Sequence, residues 1–329
     1  MKFHWSHIAF MALLIGAFSC SADTSKSATA KSPTRAIEIP QFSADSAFHY
    51  IEKQLAFGAR VPGTEAHAQT AQWLAAELRR HGAAVTVQQG TVTAYNGTRL
   101  PIYNVVGSYR PELSHRILLL AHWDSRHIAD HDPDSQKRHK PVPGANDGAS
   151  GVGVLLELAR LAGEKAPSIG IDIMMVDAED YGAPEDWQGA RSENTWALGT
   201  QFWCRRPHIA GYRASYGILL DMVGAEDAKF HKEYFSKYYA GGFVDMIWET
   251  AARLGHGRYF LPSEGGAITD DHYFINRMAG IPTLDIIHTE IEGEGTFFPY
   301  WHTTEDTLDK IARPTLQAVG ETLVHTLWR

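Results

Sequence analysis

Cysteine is close to absent from this 329-residue chain, which holds only Cys20 and Cys204. Two thiols make at most one bridge, so a disulfide framework is excluded and stability must come from a core or a metal. An excess of positive charge is lacking too. The 30 Lys and Arg face 38 Asp and Glu, with no basic stripe interleaved with aromatics, so nucleic acid is not an expected partner. No internal repeat is visible. The apolar stretch from Ile8 to Phe18, IAFMALLIGAF, falls well short of the roughly 20 residues of a lasting transmembrane helix. What the chain does have is 44% hydrophobic and 11% aromatic residues, enough to bury a large core.

Lys2 followed by that apolar stretch reads as a secretory signal over residues 1–19, which lies outside the fold. The stretch ends in FSC at Cys20, and the SADTSKSATAKSPT behind it is polar and without apolar periodicity. The combination resembles a bacterial lipoprotein signal. That resemblance implies an exported protein, periplasmic or membrane-anchored, with a lipidated Cys20, a flexible tether over residues 20–41, and membrane contact only through the lipid. Phe18 and Ser19 stand where a lipobox usually carries smaller residues, and plain secretion is the alternative.

From residue 42 to 329 the pattern predicts one domain. ADSAFHYIEKQLAF places Phe48, Ile51, Leu55 and Ala56 at helical spacing, and HAQTAQWLAAELRRHG turns Trp73, Leu74 and Leu78 inward until Gly82 stops it. AAVTVQQGTVTAY and LPIYNVVGSY alternate as strands about the Asn96-Gly97 turn. RILLLAHWD, IGIDIMMVDAED, YGILLDMVGAED and IPTLDIIHTE are apolar runs with charged ends, the mark of buried strands. GVGVLLELARLAG is helical, and so is TLDKIARPTLQAVGETLVHTLW, where Pro314 marks a kink or a break. Helices alternating with strands predict a single α/β domain with a twisted, mixed, mostly parallel central sheet flanked by helices.

Acidic and histidine side chains gather at one topological place, the C-terminal ends of those strands or the loops after them. They are His122 and Asp124, Asp147, Glu179 and Asp180, Asp221, and Asp270, Asp271 and His272, joined by His302 in FPYWHTTED. One such carboxylate is ordinarily a solvated loop residue, but six clusters beside apolar strands are hard to assign to solvation. His122 and Asp124, two apart on an extended backbone, point to one face. Glu179 and Asp180 are neighbours and diverge, so one can bind a metal while the other faces reacting atoms. Mixed carboxylate and imidazole donors without a thiolate suit catalytic zinc, which keeps a position open, and disfavour a structural site.

The series AHWDS, PGANDGASGVGVLLELAR, VDAED, LLDMVG, DDH and WHTTED, in this order, resembles the zinc-dependent aminopeptidase-like superfamily, and within it the glutaminyl-peptide cyclotransferases of the bacterial type. The resemblance implies Asp147, Asp180 and His302 as ligands of one zinc per chain and Glu179 as the acid/base. It implies Asp221 and Asp270 as members of a proton network and Trp301 as a wall of the substrate pocket. A second flanking tryptophan is implied between residues 181 and 203, where Trp187 and Trp196 both qualify. Asp180 departs from the Glu usual in the animal cyclases. The implied substrates are peptides and proteins beginning with glutamine.

The rival is a two-zinc aminopeptidase on the same fold, with Asp147 bridging and His122 and Asp221 on a second metal. Three features favour the cyclase. Trp301 stands where aminopeptidases typically have tyrosine, Asp270-Asp271 form a doublet before His272, and FPYW, with Phe298 and Trp301, brings aromatic bulk for a pocket sized for one side chain. A third reading, a lipoprotein that only binds peptides, would need a lost ligand or base, and neither is lost.

Other features read as bland. DHDPDSQKRHK at residues 130–140 fails as a calcium loop, because Ser135 is not Gly and Pro141 is not Glu, and is expected to be solvated. His49, His67, His81, His115 and His139 are expected at the surface, and Cys204 as a packing thiol. HKEYFSKYYAGGF is expected to be a loop over the pocket or a contact surface.

Overall fold

The structure, a computed structural model, describes residues 38–190, 192–290 and 296–328. The signal, Cys20 and most of the tether lie outside these residues. Among them, no helix is long and apolar enough to cross a membrane.

The strands are β1 (Ala84–Thr93), β2 (Arg99–Tyr109), β3 (Arg116–His122), β4 (Gly170–Val176), β5 (Tyr216–Asp221), β6 (Phe230–Lys232), β7 (Phe260–Glu264) and β8 (Thr283–Ile287). The helices are α1 (Ala44–Leu55), α2 (Glu65–Arg80), α3 (Ala149–Glu164), α4 (Leu198–Arg205), α5 (Tyr234–Arg253), α6 (Asp271–Phe274) and α7 (Arg313–Leu327). Six strands form one sheet in the order β1-β2-β4-β3-β5-β8. The first two pairings are antiparallel, and β4, β3, β5 and β8 run parallel. All four parallel strands therefore end at the same edge, where open α/β sheets place their ligands.

The strands look continuously apolar because both faces of the sheet are covered. On β3, Ile117, Leu119 and Ala121 join the core built with α1, α2, α3, α5 and α7, while Leu118 and Leu120 pack on the other face against Trp203 of α4 and Ile275. Both outer helices begin at side-chain caps. Ser43 accepts from the Ser46 N–H and Thr64 from the His67 N–H. Pro314 breaks the expected closing helix, standing in the first turn of α7, where its missing N–H costs nothing.

Three bland expectations are corrected. HKEYFSKYYAGGF is β6 followed by the first half of α5, whose axis breaks at Ala240 (φ −133°) ahead of Gly241 and Gly242. His67 is fully buried, with Nε2 within 2.8 Å of Asp177, a partner 110 residues away in sequence that no local pattern could disclose. His81 is buried as well, 2.8 Å from the Tyr50 hydroxyl. Cys204 is half-buried beside the Phe274 carbonyl, as expected of a packing thiol.

Candidate active site

His122 and Asp221 end β3 and β5, and Glu179 and Asp180 follow from a turn just past β4. After β4 the chain turns through Asp177 and Ala178, and Ala178 takes a positive φ of 52°. That is a costly conformation for a residue with a Cβ, held here because Leu198 and Gly199 at the start of α4 donate to the Ala178 and Asp177 carbonyls. Asp124, after β3, fixes the same turn by accepting the N–H of Glu179 at 3.0 Å and of Asp180 at 3.2 Å. Glu179 and Asp180 are thereby presented in divergent directions, as expected of neighbours.

Asp147 precedes α3. Its N–H and that of Asn146 are both accepted by the carboxylate of Asp306, at 3.0 and 2.8 Å. Gly148 (φ +92°) follows, and a Cβ there would stand 2.7 Å from the His122 ring, so the turn must be glycine for the histidine to fit. His302 itself has a φ of 55°. Strain thus collects at this edge of the sheet.

Asp147, Asp180 and His302 converge, each offering a donor atom within 4.8 Å of the others. His302 Nε2 is 3.1 Å from Asp180 Oδ1 and 3.8 Å from Asp147 Oδ2. The set fits zinc: two carboxylates and one imidazole, all buried, with Asp180 Oδ2 lacking any hydrogen-bond donor among the described residues. His122, Asp147 and Asp221 make a second such group, with His122 Nε2 3.0 Å from Asp147 and 3.2 Å from Asp221. Every ligand type expected for either metal count is therefore brought together.

The electrostatics of the edge are those of crowded acids. Burial, and then the neighbouring Asp270 carboxylate, hold Glu179 well above the usual range. Burial and Asp147 raise Asp180. Burial pushes Asp221 to about 7, with His122 pulling the other way and Asp147 and Asp270 adding to the rise. A divalent cation among such groups relieves repulsion that their own histidines offset only in part.

Above the triad lies a cavity of about 310 Å³ whose floor includes Glu179, Asp221 and Asp270. Its walls are Trp196, Trp301, Phe297 and Ile287. Trp301 stacks on the His302 ring (3.6 Å between centroids, 23°), and Trp196 lies nearly parallel to that ring at 6.2 Å. A second cleft of about 470 Å³ opens beside it and shares Trp196, Thr269, Trp301 and His302.

Several expectations need correction. Between the two candidate tryptophans the structure puts Trp196 in the wall, whereas Trp187 lies edge-on to Tyr95 at 4.9 Å and lines neither cavity. Phe298 is buried below the cavity with Met222, Ala225 and Ile268, and its neighbour Phe297 faces the cavity instead. Within the expected proton network, Asp270 caps α6 through the Asp271 N–H and lies beside Asp285, and it acts on Glu179 and Asp221 through space. The supposedly solvated loop brings Asp130 to within 3.4 Å of His302 Nδ1 and buries Asp132.

Sequence reasoning also missed Asp306, Asp285 and Arg126. Asp285 carried a signal, since it is an acid in the middle of an apolar strand, IPTLDII, where solvation is impossible. Asp306 stood inside the WHTTED motif without a role, and Arg126 just beyond AHWDS.

Known proteins resemble this chain over its whole folded part. The profile of Peptidase family M28 matches residues 104–327. A Zn-dependent exopeptidase from Parabacteroides distasonis is 50% identical and superposes with a TM-score of 0.87, covering 89% of this chain and 100% of its own. Tannerella forsythia glutaminyl cyclase is 52% identical with a TM-score of 0.86, covering 88% and 99%. Aminopeptidase YwaD of Bacillus subtilis is 25% identical over 261 residues, 76% of this chain, and the matched part spans half of that relative's length.

Proposed function

The chain belongs to peptidase family M28, and from that premise we propose that it is a glutaminyl-peptide cyclotransferase, turning the N-terminal glutamine of peptides and proteins into pyroglutamate with release of ammonia. The observation that carries the reading is the aromatic enclosure of the triad. Trp301 stacked on His302 and Trp196 opposite line a cavity of about 310 Å³ beside the triad, an aromatic lining that suits one folded glutamine side chain. Likeness to a glutaminyl cyclase at 52% identity supports it.

Asp147, Asp180 and His302 would hold zinc, which would supply Lewis acidity toward the side-chain carbonyl of the substrate. The rest is the work of this chain. The substrate's α-amine attacks the carbonyl carbon of its own side-chain amide, forming the ring C–N bond, so the protein has only to hold the folded conformer in place. Glu179, on the cavity floor, takes the proton lost by the attacking nitrogen and delivers it to the amide nitrogen, whose C–N bond breaks as ammonia leaves. A raised carboxyl suits that exchange. Asp270 raises both Glu179 and Asp221 by its charge, and Asp285, itself pushed well up by burial and then by Asp270, favours a proton shared between Asp270 and Asp285. The tryptophan walls exclude water, whose attack would give glutamate instead.

Incubation of the purified chain with a glutamine-initiated peptide and a neutral aminopeptidase substrate tests the reading. Ammonia without free amino acid is expected, and free amino acid without ammonia overturns it. One zinc per chain is proposed. The His122–Asp147–Asp221 group supports the two-zinc aminopeptidase reading, and two tightly held zincs per chain by metal analysis would favour it. We further propose export and lipidation at Cys20. A Cys20→Ser chain is then expected to lose incorporation of labelled fatty acid, and retained label would remove the anchor from Cys20.

A further inference from the structure

The triad contributes one side of the His302 ring. The other side is gripped by the stretch that leads into the loop at 130–140, which was expected to be solvated. Residues 126–132 hold the turn around His302 at several points. The His131 N–H donates to the His302 carbonyl at 3.2 Å, and the His131 ring packs on Trp301 at 4.5 Å. Asp132 accepts from the Thr304 N–H at 3.0 Å and the Thr304 hydroxyl at 2.6 Å. Asp130 faces the ring itself, with Oδ1 3.4 Å from His302 Nδ1, a buried ring nitrogen that makes no hydrogen bond among the described residues.

Arg126 sets Asp130 in that position. Its guanidinium, 1% exposed, donates to both Asp130 oxygens at 2.7 Å. The same guanidinium donates to the Asp180 carbonyl at 3.1 Å and to Asp180 Oδ1 at 3.3 Å, and lies over Trp196 at 5.0 Å. One buried cation therefore indexes Asp180, the carboxylate facing His302, and a cavity wall to one another.

We propose that Asp130, held by Arg126, is the positioning residue of the metal centre: it accepts the Nδ1 proton of His302 and so keeps Nε2 as the bare, metal-facing nitrogen. The inference rests on the reading of Asp147, Asp180 and His302 as the zinc site. Neutral imidazole carries one N–H, and a carboxylate behind the ring decides which nitrogen bears it while raising the basicity of the other. His302 also has a positive φ, a disfavoured conformation for a residue with a Cβ that persists only where the surroundings hold it.

The test is zinc affinity by competition with a chromogenic chelator, on purified wild-type, Asp130→Asn and Asp132→Asn chains. Asp130→Asn is expected to bind zinc about 10- to 100-fold more weakly. Asp132→Asn, which loosens the same segment without touching the ring, is expected to lower the thermal midpoint while zinc affinity stays within about threefold of wild type. Equal weakening in both variants would reduce Asp130 to a loop anchor and overturn the inference, as would wild-type affinity in Asp130→Asn. If Asp130→Asn fails to fold, long-range proton–nitrogen NMR on the zinc-loaded wild type answers the same question. A proton on Nδ1 of His302 is expected, and a proton on Nε2 overturns the assignment. A wild-type chain that holds no tight zinc, with His302→Ala no different, would bring down the metal centre itself. Tight wild-type zinc with an unaffected Asp130→Asn would bring down only the role of Asp130.

Discussion

The two ends of the central sheet bury acids by opposite rules. At the N-terminal end of the parallel strands, Asp172 on β4 is fully buried and fully answered. Arg116 donates to both its oxygens, at 2.6 and 2.7 Å, and Tyr212 adds a hydroxyl at 2.7 Å. At the C-terminal end, Asp147, Glu179, Asp180, Asp221 and Asp270 crowd together with two histidines, and several carboxylate oxygens lack a donor among the described residues. A carboxylate with all its partners contributes to stability, and one without them is poised for chemistry. The sheet thus separates a structural edge from a reactive edge seven residues apart along β3 and β4.

Four experiments act on that contrast. Glu179→Gln should lower turnover by about two to four orders of magnitude while zinc content and the unfolding midpoint stay close to wild type, since it removes a proton carrier from an edge that does not stabilise the fold. Stopped ammonia release beside unchanged metal analysis is the expected result, and retained turnover removes Glu179 from the mechanism. Asp172→Asn should do the reverse. It leaves Arg116 buried without its charge and costs about 3–5 kcal/mol by denaturant unfolding, with turnover per folded molecule within about twofold of wild type. Loss of turnover beyond that would mean the two edges are coupled.

Glu233 sharpens the comparison, because it lies near the reactive edge yet obeys the structural rule. Burial alone would raise it, but His272 and the N–H groups of Ile268 and Ser236 bring it down to about 2 from an ordinary 4.5. Its folded value lies below its unfolded one, so its contribution, a few kcal/mol, is complete above about pH 4.5 and is lost as the pH falls toward 2. The stability gap between wild type and Glu233→Gln should accordingly narrow below pH 4.5. A gap independent of pH would show that the ionised form is not what stabilises. The smallest effect expected is on the walls. Trp196→Ala should raise KM roughly tenfold by opening the cavity, while Trp187→Ala, on the far side of Tyr95, should leave KM within about twofold. Equal effects would erase the distinction between the two tryptophans.

What the sequence disclosed, and what it did not, divides along physical lines. The strands were readable because burial on both faces makes an apolar run, and the acids were readable because they interrupt such runs at the end facing the site. Loops carry no period. Neither the choice of Trp196 over Trp187 nor that of Phe297 over Phe298 could be made without the turns that aim them, and a shift of one residue exchanges wall for core. His67 and Asp130 were misjudged for a different reason. His67 is satisfied by Asp177, 110 residues away, and the His302 ring that Asp130 faces is as remote in sequence, so local composition records neither pairing. The positions with positive φ, Ala178 and His302 among them, were equally silent, because alanine and histidine advertise no such conformation.

The clamp of Asp306 on the backbone of Asn146 and Asp147 sets an order of events. A chain made from its N-terminus has β3, β4, β5 and β8 complete before residues 302 and 306 exist. Until they arrive, Asp147 lacks both its anchor and its imidazole neighbour. A chain that ends before residue 302 cannot assemble the triad, so metal capture through these three residues would have to await the C-terminal segment.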